Sequence, residues 1–171
     1  MQRLARTSLV ELIPRRGAFV RQPGPLEIVE MFEAMAEFEA SCARLAAKRI
    51  TDRALDDLRA ANERCRAAVE NGNPDTYYAE NEAFHLLIYE QCGNAYIQQE
   101  ALRLHRRLKP YRRLQLRVRG RMKQSMSEHE AIVAAMAAGE AEVAASTIRD
   151  HVAIQGEKFH TLLASLKETA A

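Results

Sequence analysis

Three of the five histidines in this sequence, His85, His129 and His151, are spaced so that a helical fold can bring their imidazoles together. Asn81 lies four residues before His85, and residues four apart on a helix share a face one turn apart. The pair therefore offers an amide oxygen and an imidazole nitrogen to one spot. His129 stands ten residues before Gly139, and His151 eleven residues after Glu140. If the two flanking helices form an antiparallel hairpin turning there, both histidines sit about 15 Å from the turn. Two imidazoles at one height, with Asn81 and His85 brought alongside, make an Asn/His/His/His site with open positions for water or an effector. Imidazole-rich sites suit Zn, Ni, Cu or Fe, and mixed nitrogen and oxygen sets also admit Mn. His105 and His160 have no comparable partner and read as ordinary surface or core residues.

Other chemistries fit less well. Water activation at an open metal site also needs a placed general base, and Glu82, Glu128 and Glu130 show no arrangement that singles one out. A di-iron carboxylate bundle needs two Glu-x-x-His motifs; only Glu82-x-x-His85 is present. Cys42, Cys65 and Cys92 form no CxxC pair, so a thiolate zinc site is not expected. They read as packing residues in a reducing cytoplasm. Ten Lys or Arg and no Asp or Glu lie between Ala101 and Gln124. That stretch reads as a nucleic-acid surface, as an inward clamp for a carboxylate effector, or as a solvated helix face. Turn-counting from Gly93-Asn94 brings Arg103 and Arg106 towards His85, with Arg113 on a similar face further on. Arg106 and Arg113 are the effector-binding candidates.

The elements that must position these groups are helices. Seven glycines and five prolines in 171 residues, with abundant Ala, Leu, Glu and Arg, favour helix over strand. The apolar periodicity predicts six of them. The first runs from about Pro25 to Ile50, with Phe32, Met35, Cys42 and Leu45 on one face. The second is capped by Thr51 and carries Leu55, Leu58, Cys65 and Val69. The third opens at Pro74-Asp75 and ends near Cys92. The fourth runs from Asn94 to about Arg119, kinked or divided by Pro110. A capping box at Ser125 or Ser127 opens the fifth, which Gly139 ends. The sixth covers about Glu140 to Leu166, with Val143, Ile148, Val152, Phe159 and Leu163 inward. Short links make neighbours antiparallel, so the expected fold is all-α, an antiparallel bundle of about six helices. The first 22 residues differ: SLVELIP and AFVRQ flank Arg15-Arg16-Gly17 as a short β-hairpin, marginal by itself. A net charge of +2 gives no global basic field. No apolar run reaches the roughly 20 residues of a membrane span, and no signal peptide is expected at the start.

The order Asn81-Glu-Ala-Phe84-His85, Cys92-Gly93-Asn94, Glu128-His129-Glu-Ala-Ile132 and Arg149-Asp150-His151 resembles the FCD ligand-binding domain of the FadR branch (FadR subfamily) of GntR-family transcription regulators. The family pattern reads roughly D-x-x-F-H, then G-N, then E-H-x-x-I and a final H. MFEAMAEFEASCARLAA is similar to that domain's opening helix, and the resemblance covers residues 25 to about 165. QRLARTSLVELIPRRGAFV looks like the end of a recognition helix and the wing of a winged helix-turn-helix. Residues 1–22 are then a wing remnant of a DNA-binding domain and 25–168 an effector-binding and dimerisation domain, with most of the DNA-binding domain expected upstream. Arg15, Arg16 and Gly17 resemble wing residues that contact DNA. His85, His129 and His151 match the family's metal-binding histidines, and Asn81 stands where an aspartate is usual. The resemblance implies a cytoplasmic, homodimeric, ligand-responsive DNA-binding regulator and not an enzyme. It implies a divalent transition metal (Zn first, Ni or Mn as alternatives), a small carboxylate effector and operator DNA as partners. A metal sensor, and more remotely a metal-dependent enzyme, are the alternatives.

Overall fold

The structure is a computed structural model that describes residues 10–13, 17–20 and 22–154. Arg15, Arg16, Phe159, His160, Leu163 and the expected extension of the last helix lie outside the described residues. Strand β1 (Val10–Ile13) pairs antiparallel with β2 (Gly17–Val20), Val10 opposite Val20 and Ile13 opposite Gly17. Gly17 has φ 104°, a conformation open to glycine and strained for other residues.

Five complete helices follow, and each boundary has a local cause. Helix α1 (Pro25–Ala47) places Pro25 in its first turn, where a missing N–H costs nothing. It ends three residues before the predicted Ile50 because residues 48–50 turn back onto the Leu45 and Ala46 carbonyls. Helix α2 (Asp52–Glu70) is capped by the Thr51 hydroxyl, which accepts from the Ala54 N–H. Helix α3 (Pro74–Gln91) is capped by Asn73, whose Oδ1 accepts from the Asp75 and Thr76 N–H groups. Helix α4 (Ala95–Gln115) is capped in the same way by Asn94. Each such cap contributes about 1 kcal/mol. Residues 141–154 are helical and form α6 to the end of the described residues.

Two boundaries correct the sequence-based expectation. Helix α4 runs through Pro110 undivided, four residues short of Arg119. Helix α5 (Arg121–Ala137) opens at Gly120, with φ 81°, and not at a serine capping box. Ser125 is buried inside α5. A left-handed glycine turns the chain abruptly, and this start carries Arg121 into the interior, where it bonds Glu128 and His151. Those contacts set the start of the helix; the Ser/Glu spacing does not.

Helix α3 packs against α1, α2 and α4, while α1 also meets α4 and α5, and α2 meets α5. Helix α6 is tied to α1 by Arg149–Glu37 at 2.7 Å and Glu142–Arg44 at 2.9 Å. Phe32, Met35, Leu58, Phe84, Ile88, Leu108, Ile132 and Met136 fill the space between these helices. Truncating a buried Phe such as Phe84 to Ala in a core of this kind costs roughly 3–5 kcal/mol. Cys42, Cys65 and Cys92 are buried and free. Val143, expected inward, is half exposed, whereas Ile148 and Val152 are buried. The all-α bundle expected from the sequence is the fold observed. Among the described residues no helix is long and apolar enough to cross a membrane.

Candidate metal centre

His85 from α3, His129 from α5 and His151 from α6 meet in the interior, all fully buried. One nitrogen from each ring lies within 4.8 Å of the others. The ring centroids are 4.9 to 5.4 Å apart. The hairpin geometry explains the meeting of His129 and His151: their helices turn at Gly139, φ 70°, and the two residues stand at matching heights. Asn81 is buried one turn before His85 on α3.

The carboxylates behind the rings decide which ring nitrogen faces inward. His85 Nδ1 is 2.5 Å from Glu39 Oε2, and His151 Nδ1 is 2.6 Å from Glu128 Oε2. An ionised carboxylate only accepts, so both Nδ1 atoms carry the proton. Both carboxylates are ionised. Burial opposes ionisation of Glu39, but His85 and Arg112 outweigh it and hold its carboxyl well below the usual range. Glu128 is lowered too: its burial acts upward, and His151 and Arg121 prevail. Burial pushes the histidines the other way, so they are neutral. His151 falls to about 4 despite Glu128, and His85 is lowered by burial although Glu39 pulls it up. Neutral rings protonated at Nδ1 turn the Nε2 lone pairs inward, and the two Nε2 atoms are 3.2 Å apart. Two acceptors held face to face in a buried site repel each other unless a cation or proton sits between them.

His129 has no such carboxylate. Its ring stacks on Phe84 at 4.1 Å and lies 6.5 Å from Tyr77. Among the described residues neither ring nitrogen has a hydrogen-bond partner. Burial, then the neighbouring His151 and His85, hold it well below the ordinary imidazole range. A buried imidazole with both nitrogens unpaired is costly. The orphaned His129 nitrogens and the facing lone pairs fit a divalent transition metal, and an all-imidazole donor set suits Zn or Ni.

Around this cluster lies a polar layer that the sequence reading missed. Glu39 Oε1 accepts from Arg112 Nη1 at 2.7 Å and from Tyr89 OH at 2.8 Å. His105, read from sequence as unremarkable, is buried and joins this layer. Its Nδ1 lies 3.3 Å from Arg112 Nη1 and its Nε2 3.3 Å from Glu82 Oε1. Burial, then the Arg112 charge, push it down to about 3. Arg121 donates to Glu128 at 2.8 Å and to the His151 carbonyl at 3.3 Å. Glu39 was detectable as the one acid on the apolar stripe of α1, between Met35 and Cys42. Arg112 follows His105 and Leu108 on the buried face of α4.

The expected effector arginines are not brought to the histidines. Arg106 is exposed. Arg113 is exposed and pairs with Asp75 at 2.9 Å, and Arg103 pairs with Glu100 on the surface. The turn-count placed the correct helix beside His85 but chose the wrong face. Arg112 and Arg121 are the buried arginines near the cluster. Arg15 and Arg16 lie outside the described residues; Gly17 is exposed in the hairpin.

Comparison with known proteins accords with this architecture. The chain is similar in structure to E. coli McbR/YncC, with a TM-score of 0.80 and 18% identity over 94% of this chain and 81% of that one. It is similar to Streptococcus agalactiae GntR, with a TM-score of 0.64 and 19% identity over 90% and 77%. A Pseudomonas syringae pv. tomato transcriptional regulator, a GntR family member, aligns with a TM-score of 0.66 and 17% identity over 99% and 70%. No curated protein matches the chain by sequence. The model of the FCD domain matches residues 30–154, most of the helical bundle and the three clustered histidines His85, His129 and His151. The chain belongs to the FCD domain family.

Proposed function

We propose that this protein is a ligand-responsive, DNA-binding transcription regulator. Its helical domain holds a divalent transition metal through His85, His129, His151 and Asn81, and that ion docks a small organic acid. Zn is the first choice, with Ni or Mn as alternatives. The observation that carries the reading is the meeting of three buried imidazoles with facing Nε2 lone pairs and two orphaned nitrogens on His129. The charges around them support an anionic effector. Glu39 and Glu128 are offset by Arg112 and Arg121, so the cluster is neutral before any ion enters. A divalent ion then adds uncompensated positive charge to a buried site, and a carboxylate ligand offsets it.

The hairpin at residues 10–20 belongs, in this reading, to the wing of a winged helix-turn-helix, with Arg15, Arg16 and Gly17 towards operator DNA. Residues 25–168 form the effector-binding and dimerisation part of a homodimer. Effector binding changes DNA affinity only to the extent that it prefers one arrangement of the two DNA-binding domains. Asn81 offers a neutral oxygen where relatives carry a carboxylate, and so binds the ion more weakly. The test is elemental analysis of the purified chain beside a His85→Ala/His129→Ala/His151→Ala variant whose folding is checked by circular dichroism. One ion per chain in the parent and none in the folded variant is expected. No ion in the parent, even after reconstitution with Zn, Ni and Mn, refutes the metal reading.

A further inference from the structure

We infer that Glu39 and Glu128 are positioning residues for this metal centre, each clamped by a buried arginine and each fixing one histidine with its Nε2 turned towards the ion; the inference rests on the metal reading above. The same Arg–Glu–His order occurs twice, on separate elements. Arg112 of α4 holds Glu39 of α1, which holds His85 of α3. Arg121 and Glu128 of α5 hold His151 of α6. The two relays end on the pair of Nε2 atoms 3.2 Å apart.

Fold stability is a poor account of this duplication. A buried ion pair replaced by apolar residues of similar volume is often neutral or stabilising, and these two relays together bury three charges and partly bury a fourth. Their chemistry suits a metal better. A carboxylate that accepts the Nδ1 proton fixes the tautomer, locks the ring's rotation and raises the basicity of Nε2. The arginine also occupies the carboxylate and keeps it from swinging in to ligate the ion itself. Tyr89 adds a third partner to Glu39. His129 has no relay and is held by ring stacking alone. The centre is therefore asymmetric, with two imidazoles oriented by carboxylates and one by ring stacking.

The test uses Zn alone, titrated into the full chain in competition with a chromophoric chelator. The variants are Glu128→Gln, Glu39→Gln/Arg112→Met and the surface control Glu142→Gln. The double substitution removes both charges of its relay, so no lone arginine stays buried. Glu128 is the more accessible carboxylate, with its side chain 17% exposed, and its variant decides alone if the double variant does not fold. Each relay variant is expected to weaken Zn binding by roughly 10–100-fold, as loss of such partners does elsewhere, and Glu142→Gln to leave it unchanged. The visible spectrum of the Co(II) form is expected to shift in both relay variants, which a purely structural role does not produce. Relay variants that fold and bind Zn within twofold of the parent overturn the inference while leaving the metal centre standing. A parent that takes up no ion overturns the metal reading, and this inference with it.

Discussion

Replacing His129 by phenylalanine should stabilise the metal-free protein. His129 is fully buried, and both of its ring nitrogens lack a partner among the described residues. Each unsatisfied buried polar group costs about 1–3 kcal/mol. A phenyl ring keeps the stacking on Phe84 at 4.1 Å and removes both polar atoms. Its extra ring atom brings an overpacking cost of about 1 kcal/mol. The net gain is about 1–5 kcal/mol, which raises the melting temperature of a chain this size by ~2–20 °C. Scanning calorimetry in excess chelator reads this directly. His105→Phe is the control: its ring nitrogens lie against Tyr89, Arg112 and Glu82, so the same change removes those hydrogen bonds and costs about 1–3 kcal/mol. Adding Zn should reverse the order, since the parent gains stability from binding and His129→Phe does not. A metal-free His129→Phe protein that melts below the parent refutes the reasoning, because the nitrogens of His129 must then be satisfied within the apo fold.

Three further outcomes follow from the same geometry. Acid should weaken the chelated protein between about pH 6.5 and 4. The folded-state value of His151 is lowered from 6.5 to about 4, so the unfolded chain takes up the proton first. Stability is complete above pH 6.5, falls as the pH drops and levels out near 4; this group alone accounts for about 3 kcal/mol. A flat urea midpoint across that window contradicts it. Asn81→Asp should tighten Zn binding; an unchanged dissociation constant by competition titration counts against Asn81 as a ligand. Gly120→Ala meets open space but must hold φ 81°, so it should cost about 1 kcal/mol by chemical denaturation through backbone strain alone.

The histidine cluster was legible because its information is local. His129 and His151 are placed by counting residues from one turn, and Asn81 and His85 by a single helical repeat. The cap at Thr51 and the stop at Gly139 were legible for the same reason. What escaped depends on helix phase and on distant pairs. Glu39 is 46 residues from His85, and Arg112 is 73 from Glu39. Counting along α4 gave the height of Arg106 and Arg113 and could not give the rotation that buries Arg112 between them. The serines near the start of α5 carried a valid capping signal, overridden by the buried contacts of Arg121. Pro110 was read as kinking or dividing the helix, yet α4 continues through it undivided because tertiary packing outweighs a local propensity.

The central claim is that His85, His129 and His151 hold one ion between them. X-ray absorption at the metal edge of the Zn-loaded chain tests it most directly. The account predicts imidazole scattering from three rings with Zn–N distances of about 2.0–2.1 Å, the rest of the shell being oxygen. A shell of oxygen alone, or of thiolate sulfur at about 2.3 Å, contradicts it.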